Sequence, residues 1–272
     1  MARAALPRRA TPGSGKSRGC RVIGGTGLIG SKLVVELRER GHEAAPAAPN
    51  TGVNSLTGEG LEDVLEGATV VVDVSNSPSF ADEPVMEFFR ASTTNLLEYS
   101  AKAGIGHDVA LSVVGTDRLA ESGYFRAKIA QETLIRESGI PYSIVHATQF
   151  FEFVKAIADF STVDGKVRLA SARIQPMASD DVAAALARVA VGRPSNGIQE
   201  IGGPEQFGLD ELVRRGLAAK GDPREVVTDE QEPYYGVRLS EWTLVPGPDA
   251  LLAEITSAYS GPDHRARGSW SA

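Results

Sequence analysis

A single cysteine, Cys20, in 272 residues excludes an internal disulfide, so no disulfide scaffold supports this chain. Four histidines, His42, His107, His146 and His264, lie far apart, and with one cysteine they make no local metal motif. No apolar run approaches the roughly 18 residues that a membrane span requires, and no transmembrane helix is expected. Acids are missing from residues 1–21, which hold six bases: Arg3, Arg8, Arg9, Lys16, Arg18 and Arg21. The net charge of −7 conceals this asymmetry, because 22 basic residues face 35 acidic ones beyond residue 21. An acidic body binds nucleic acid poorly. These absences lead to the expectation of a cytoplasmic protein without a metal, a membrane or a nucleic-acid partner.

What is present is the composition of an ordinary globular chain, 42% hydrophobic and 23% charged, long enough for one large core or two modest ones. Residues 1–18 mix Arg, Ala, Pro, Gly and Ser without periodicity and read as a disordered basic tail. Bases without acids also suit a transit peptide, but the tail lacks the amphipathic helix of one. Within it, Gly13-Ser14-Gly15-Lys16-Ser17 imitates a phosphate loop. The full pattern needs glycine where Ala10 stands and a strand where Pro7 and Pro12 stand, so this is a decoy.

The organising stretch is Arg21-Val22-Ile23-Gly24-Gly25-Thr26-Gly27-Leu28-Ile29-Gly30. A β-branched run enters glycines spaced three apart, and an apolar-periodic segment from Leu28 to Arg40 leaves them. Strand, tight turn and helix follow from that pattern. The first glycine reverses the chain, the second admits a pyrophosphate to bare backbone, and the third packs the helix on its strand. Cys20 and Arg21 are unusual in a first strand that is ordinarily aliphatic throughout.

Glu43 to Ala47 should form the second strand, although Ala and Pro are poor strand formers. In a dinucleotide fold an acid at the end of this strand selects NAD through the ribose 2′-hydroxyl. Pro46 to Gly52 contains no acid, which favours NADP and leaves NAD possible; the arginine expected for a 2′-phosphate is absent too. A polar loop over 52–60 has room for a short strand near Val53. Ala68 to Val74 is the clearest buried strand. It runs into Ser75-Asn76-Ser77-Pro78, small polar residues where ligands meet a parallel sheet. A helix from Pro84 to Ala103, a strand from His107 to Val114, a helix over 123–138 and a strand from Tyr142 to Ala147 continue the alternation. Together they imply an α/β fold with a doubly wound parallel sheet. Further on, a strand over Lys166 to Ser171, a helix from Asp180 to Val191, a strand from Ile198 to Ile201 and a helix from Leu209 to Ala219 interrupt the strict order. A final helix is expected near Asp249 to Tyr259.

Tyr124 and Lys128 lie four residues apart, on one face of a helix, and Ser112 ends the preceding strand. A phenol near pKa 10 is a feeble acid at neutral pH, and a neighbouring cation stabilises its anion. Ser112 is suited to hold a carbonyl oxygen while Tyr124 transfers a proton. The alternative is that Tyr124 is an ordinary half-buried helix residue. His146, alone at a strand end, is of a kind more often structural than basic in function.

Taken together, Gly24 to Gly30, Thr94-Asn95-Leu96-Leu97, Ser112, Tyr124 with Lys128, and Gln175-Pro176-Met177-Ala178-Ser179-Asp180-Asp181-Val182-Ala183 resemble an atypical short-chain dehydrogenase/reductase. The NmrA-like and extended epimerase-type branches are the most similar, over about residues 20–220. The resemblance implies a Rossmann sheet with a small C-terminal substrate-binding lobe. It implies pyrophosphate contacts from Gly24, Thr26, Gly27, Leu28, Ile29 and Gly30. Asn50 and Thr51 would lie near the adenosine phosphate, Ser75 and Asn76 near the ribose, and Lys128 on the nicotinamide ribose. Ser112 and Tyr124 would meet the carbonyl, with Gln149, Phe150 and Phe151 at the nicotinamide and substrate walls. Those phenylalanines either line an apolar pocket or pack as core.

Three functions are compatible with these residues. One is an NADPH-dependent reductase or dehydrogenase acting on a small carbonyl, alcohol or quinone-like compound. Another is an NADP(H) sensor that passes its state to a protein partner with little turnover. The third is a nucleotide-sugar epimerase or dehydratase, for which the second lobe looks short. The expected organisation is a tail over 1–18, a dinucleotide-binding core over 19–160, a smaller interleaved lobe over 161–260, and a disordered tail over 261–272.

Overall fold

Val70, Val71 and Val72 are wholly buried, as a β-branched run must be when helices cover both faces of its sheet. In the computed structural model, which describes residues 17–253, this run is a central strand. The first half of the chain alternates β1 (Gly19–Ile23), α1 (Leu28–Glu39), β2 (Glu43–Ala47), α2 (Leu61–Leu65), β3 (Val70–Asp73), α3 (Asp82–Ala103), β4 (His107–Val113), α4 (Gly123–Glu137) and β5 (Tyr142–Ala147). The second half holds α5 (Val154–Phe160), β6 (Thr162–Val163), β7 (Lys166–Leu169), β8 (Arg173–Ile174), α6 (Ser179–Val191), β9 (Ile198–Gly202), β10 (Phe207–Gly208), α7 (Leu209–Ala219), β11 (Val226–Thr228) and β12 (Leu251–Leu252).

Seven strands form one parallel sheet in the order β2-β1-β3-β4-β5-β9-β12. The chain leaves β1 for the edge at β2 and returns on the other side of β1 as β3. That reversal opens a crevice at the carboxyl ends of β1 and β3, where ligands bind in open parallel sheets. Leu33, Val34 and Leu37 of α1 pack with Val182, Ala183 and Leu186 of α6 against one face. Leu61 and Leu65 of α2 and Leu96 of α3 cover Val71 on the other, and Ile135 of α4 covers Ala110 and Ile144. The sheet is therefore doubly wound.

The structure explains several irregularities of sequence. Pro46 sits in β2 because β2 is the edge strand, where a missing N–H leaves no ladder bond unmade. Arg21 lies within a regular β1; its Nε donates to the Val64 carbonyl at 2.7 Å, and Nη1 lies 3.2 Å from the Glu43 carboxylate. The buried strand thus keeps its aliphatic stem and sends the charge outward.

Some expectations are corrected. The short strand near Val53 is absent; only an isolated bridge joins Asn54 to Glu59, after a 3-10 turn over Pro49–Thr51. Helix α3 starts at Asp82, two residues before Pro84, because proline is tolerated in a first turn whose N–H groups have no helical partner. No helix begins at Asp249. Instead Leu251 and Leu252 pair with Ile201 and Gly202, since the exposed edge of β9 takes up their backbone groups. The continuation of that expected helix lies outside the described residues, as do residues 1–16 and the tail over 261–272. Arg18 is not loose tail: its N–H donates to His42 Nδ1 at 3.3 Å and its carbonyl accepts from Glu43 N at 3.1 Å.

Residues 151–244 supply most of a second apolar cluster, in which Phe151, Val154 and Ile157 meet Leu169, Leu212, Val213 and Leu244. Two small sheets, β11-β7-β6 and β10-β8, flank it. Leu119 and Phe125 of the first half belong to the same cluster. Helix α6 and strands β9 and β12 join the main sheet layer instead, so the two halves interleave. Among the described residues, no helix is long and apolar enough to cross a membrane.

Candidate functional site

The glycine turn at the end of β1 is closed on two sides and open on the third. Gly24 has φ 75°, and a Cβ there would stand 2.9 Å from Ser75 Cα. A Cβ on Gly30 would fall 2.2 Å from the Gly24 carbonyl oxygen, so any side chain would lift α1 off the turn. A Cβ on Gly27 would meet only that same oxygen, at 3.3 Å. The space beyond Gly27 is therefore left free by the described residues. Gly27 is also the N-cap of α1, without a side-chain cap, and no acid occupies the first turn. Leu28, Ile29 and Gly30 open that helix, whose first N–H groups and dipole attract an anion. Bare cradle and uncapped helix start fit a pyrophosphate.

Thr26 Oγ1 donates to Asn50 Oδ1 at 3.0 Å, which ties the glycine turn to the turn after β2. Thr51 Oγ1 accepts from Ala48 N and donates to the Ala48 carbonyl, both at 2.9 Å, and so shapes that turn. Asn50 and Thr51 are exposed beside the cradle. Ser75 packs on Gly24 and its N–H donates to Asp73 Oδ1 at 2.9 Å. Asn76 is exposed and its Oδ1 accepts from Ser77 N. The fold thus brings together Gly24, Thr26, Gly27, Asn50 and Ser75, which the sequence spreads over fifty residues.

Ser112, Tyr124 and Lys128 are differently placed, and no hydrogen bond joins any two of them. Ser112 Oγ donates to Glu132 Oε1 at 2.6 Å, and His146 Nε2 donates to the same oxygen at 2.9 Å. Arg136 Nη2 lies 3.1 Å from Glu132 Oε2. Burial alone would push the Glu132 carboxyl up; the His146 and Ser112 hydrogen bonds, with the charges around it, outweigh burial and hold it low. Lys128 Nζ donates to the Leu111 carbonyl at 2.9 Å and to Gln131 Oε1, and lies 4.5 Å from the Phe89 ring centre. Gln131 Nε2 in turn donates to Asp73 Oδ2 at 3.0 Å. Burial pushes the Lys128 ammonium down to about 8, against the opposing pull of Asp73 and Glu132.

Tyr124 is half-buried in an aromatic nest. Its ring stands 5.4 Å from Phe80, 6.0 Å from Phe89 and 5.4 Å from Phe125, centre to centre. Tyr235 touches Phe80 at 6.1 Å and stacks on Phe160 at 4.4 Å. Burial, and then the nearby Tyr235, raise the Tyr124 phenol above its ordinary value. Its hydroxyl has no hydrogen bond among the described residues. The backbone presents Tyr235 at unusual cost. Its φ of 48°, followed by 86° at Gly236, makes the tight turn of a hairpin whose ends are Tyr234 and Val237.

At the end of β5, both amide atoms of Gln149 are buried without a partner among the described residues, as is Thr148 Oγ1. Phe150 stacks on Phe153 at 5.4 Å, while Phe151 is 6% exposed and belongs to the second apolar cluster. The pattern Gln175 to Ala183 has an architectural role. Met177 N donates to the Gln149 carbonyl at 2.9 Å, and Ser179 N donates to Glu152 Oε1 at 3.1 Å, which places a carboxylate on the start of α6. Sequence reasoning missed Asp73, Gln131, Glu132, Phe80 and Tyr235. Gln131 and Glu132 were within reach of it, since they stand three and four positions after Lys128 on the same helix. Phe80 and Tyr235 carried no signal, because only the chain path brings those loops over α4. Among the described residues no group of three His, Cys, Asp or Glu side chains has the arrangement of a metal site.

No family model matches the chain. It is similar to the photosystem II assembly factor Ycf39 of Trieres chinensis, 23% identical over 145 residues, a match that takes in 48% of this chain and 46% of that protein. The chain thus spans less than half the length of that relative. Among solved structures it is similar to MoeE5 in complex with UDP-glucose and NAD, with 20% identity, a TM-score of 0.65, and 81% of this chain and 87% of that chain covered. It is also similar to DesIV, a dTDP-glucose 4,6-dehydratase from Streptomyces venezuelae solved with NAD, at 18% identity and TM-score 0.63 over 80% of this chain and 87% of that one. A dTDP-4-dehydrorhamnose reductase from Clostridium acetobutylicum gives 15% identity and TM-score 0.64 over 83% and 91%. At these identities the likeness establishes the fold, a Rossmann-type doubly wound sheet.

Proposed function

We propose that the chain binds a nicotinamide dinucleotide, NADP(H) ahead of NAD(H), and uses it to reduce or oxidise a small carbonyl, alcohol or quinone-like compound. The observation that carries this reading is the open cradle at Gly27 beneath the uncapped start of α1. A bound dinucleotide would be held there by Gly24, Thr26, Gly27, Leu28, Ile29 and Gly30, with Asn50, Thr51, Ser75 and Asn76 along its adenosine half. It would supply the hydride. The chain's own part is to hold the substrate oxygen and move a proton. Tyr124 has a hydroxyl without a partner among the described residues and an aromatic surround that suits a planar or apolar ligand. Lys128, with its pKa pushed down to about 8, is mostly cationic at neutral pH and serves in this reading as the ribose ligand and as a cation one helical turn from the proton donor. Ser112 holds the carbonyl in this reading once its hydroxyl turns from Glu132.

A second reading, an NADP(H) sensor with little turnover and a protein partner, draws support from a specific observation. Ser112 is bound to Glu132 and Lys128 to Gln131, so two of the three groups are engaged elsewhere. The two readings separate in one experiment: titration with NADPH, NADP, NADH and NAD, then oxidation of bound NADPH against ketones, quinones and aldehydes. Tight binding with turnover is the expected result. Tight binding without turnover supports the sensor, tight binding of a UDP- or dTDP-sugar supports a nucleotide-sugar enzyme, and no binding of any dinucleotide removes the proposal.

A further inference from the structure

Phe80 and Phe160 are 51% and 58% exposed, yet neither ring stands alone. Phe160, at the end of α5, stacks on Tyr235 at 4.4 Å; Tyr235 lies 6.1 Å from Phe80, and Phe80 lies 5.4 Å from Tyr124, centre to centre. The four rings make one strip from four separate segments: the end of α5, the hairpin at Tyr234 and Val237, the loop from β3 to α3, and the first turn of α4. A single exposed apolar side chain needs no explanation. A run of rings left open to solvent marks a binding surface.

The strip starts at the crevice. Phe80 belongs to the loop that leaves the carboxyl end of β3, and the same loop packs Ser75 on Gly24 of the glycine turn. Tyr235 is held at its place against local preference, because a φ of 48° is a left-handed conformation that a bulky side chain rarely adopts. Asparagine or glycine would make that turn more easily, so the ring, and not the turn, accounts for a tyrosine there. The strip is also amphipathic. Tyr234 meets Tyr235 edge to face at 4.8 Å. Burial, then Tyr235, raise the Tyr124 phenol; burial, then Tyr235 and Tyr124, raise that of Tyr234, so the three phenols are neighbours. Among the described residues none of the three hydroxyls makes a hydrogen bond.

Flat faces with phenols beside them suit a planar ring that carries an oxygen: ring meets ring in offset or edge contact, and a phenol donates to the oxygen. A molecule of two fused rings laid over Phe80 reaches Tyr124 on one side and Tyr235 on the other. We propose that Phe80 and Tyr235 determine the substrate, selecting an aromatic carbonyl compound over an aliphatic one and directing its oxygen to Tyr124. This rests on the reading above, which supplies the reaction, and deepens it by naming the substrate class. Phe160 and Tyr234 brace the Tyr235 ring, so the selecting surface is fixed before the ligand arrives.

The test is calorimetric titration of the NADP-saturated protein with two ketones, acetonaphthone and its fully saturated counterpart acetyldecalin. The oxidised cofactor keeps either ketone from being consumed. The saturated ketone is the more apolar of the two, so burial alone favours it and ring recognition favours the other. Wild type is expected to bind acetonaphthone about tenfold more tightly than acetyldecalin, the worth of about one aromatic pair. Phe80→Leu and Tyr235→Asn should each lose most of that preference while binding NADP as wild type does, and Phe80→Tyr, which restores a ring, should keep it. Asparagine tolerates the left-handed turn at 235, and leucine at the half-exposed position 80 leaves the core untouched, so if one variant fails to fold the other still decides. Equal binding of the two ketones by wild type, binding of neither, or a preference that survives in Phe80→Leu and Tyr235→Asn would overturn the inference and leave the dinucleotide reading standing. A wild type that binds no NADP overturns that reading and this inference together.

Discussion

The two ends of the crevice are built from different materials. Near β1 the site is backbone: a turn with positive φ at Gly24, a bare N-cap at Gly27 and a contact at Gly30 that leaves no room for a methyl group. Near β4 and β5 it is side chain, with Asp73, Gln131 and Lys128 in one buried chain of hydrogen bonds and Ser112, Glu132 and His146 in another. A backbone site recognises what every dinucleotide shares, and it has one arrangement. A side-chain site has several, because each hydroxyl, amide or ammonium can exchange a protein partner for a ligand at a cost of about 1 kcal/mol or so. On the function proposed above, the first end binds the dinucleotide and the second decides the chemistry.

The contrast is broken most severely at Gly30. A Gly30→Val protein, whose new side chain would meet the Gly24 carbonyl, is expected to lose about 3 kcal/mol or more of stability together with all dinucleotide binding. Gly27→Ala should lose at least tenfold in binding while its urea midpoint stays close to wild type, because the added methyl meets only one atom at 3.3 Å. If both variants behave alike, the cradle is structural and the distinction between them is lost.

At the other end, Glu132→Ala strands Ser112, His146 and Arg136 around a missing carboxylate, and is expected to cost about 3 kcal/mol in chemical denaturation. Next in size is Tyr124→Phe, which should reduce turnover about 100-fold with stability within about 0.5 kcal/mol of wild type, since the lost hydroxyl has no partner among the described residues. Full turnover in that variant would leave Tyr124 as part of the aromatic nest and nothing more.

A dependence on pH sharpens the same comparison. Burial, and then the charge of Asp73, push the Asp108 carboxyl up to about 7 from its ordinary 3.8. The folded state therefore holds a proton that the unfolded chain releases, and stability falls as pH rises from about 4 to about 7. Lys128 acts in the opposite direction at higher pH. Lowered to about 8 from 10.5, it is neutral in the folded state while still charged in the unfolded one, so stability rises over that window. Asp108→Asn should flatten the first slope and Lys128→Met the second, measured by urea midpoints against wild type. A variant that keeps the wild-type slope shows that its group does not titrate there.

Much of the molecule is legible in the sequence. Strand β5 and helix α7 have the ends the pattern implies, and β1, α1 and the turn between them follow from three glycines in a β-branched-to-amphipathic context. Boundaries failed where long-range pairing competes with local preference. Asp249 begins no helix, because the free edge of β9 captures Leu251 and Leu252. The loop near Val53 makes no strand, and Asn54 pairs instead with Glu59 in an isolated bridge that closes the loop on itself.

The chain's residue types and their spacing were enough to specify the doubly wound sheet, the glycine turn and the absence of an acid after β2. Those features depend on neighbours a few positions apart, where backbone conformation and hydrophobic period act directly. Which partner each polar side chain takes was settled by packing. Tyr124 and Lys128 share a helix face, yet one lies among Phe80, Phe89 and Phe125 while the other is drawn to Gln131 and the Leu111 carbonyl. Loops from distant parts of the chain meet only over the folded sheet. In that low-dielectric interior each buried polar group binds whatever partner the fold puts within hydrogen-bond distance.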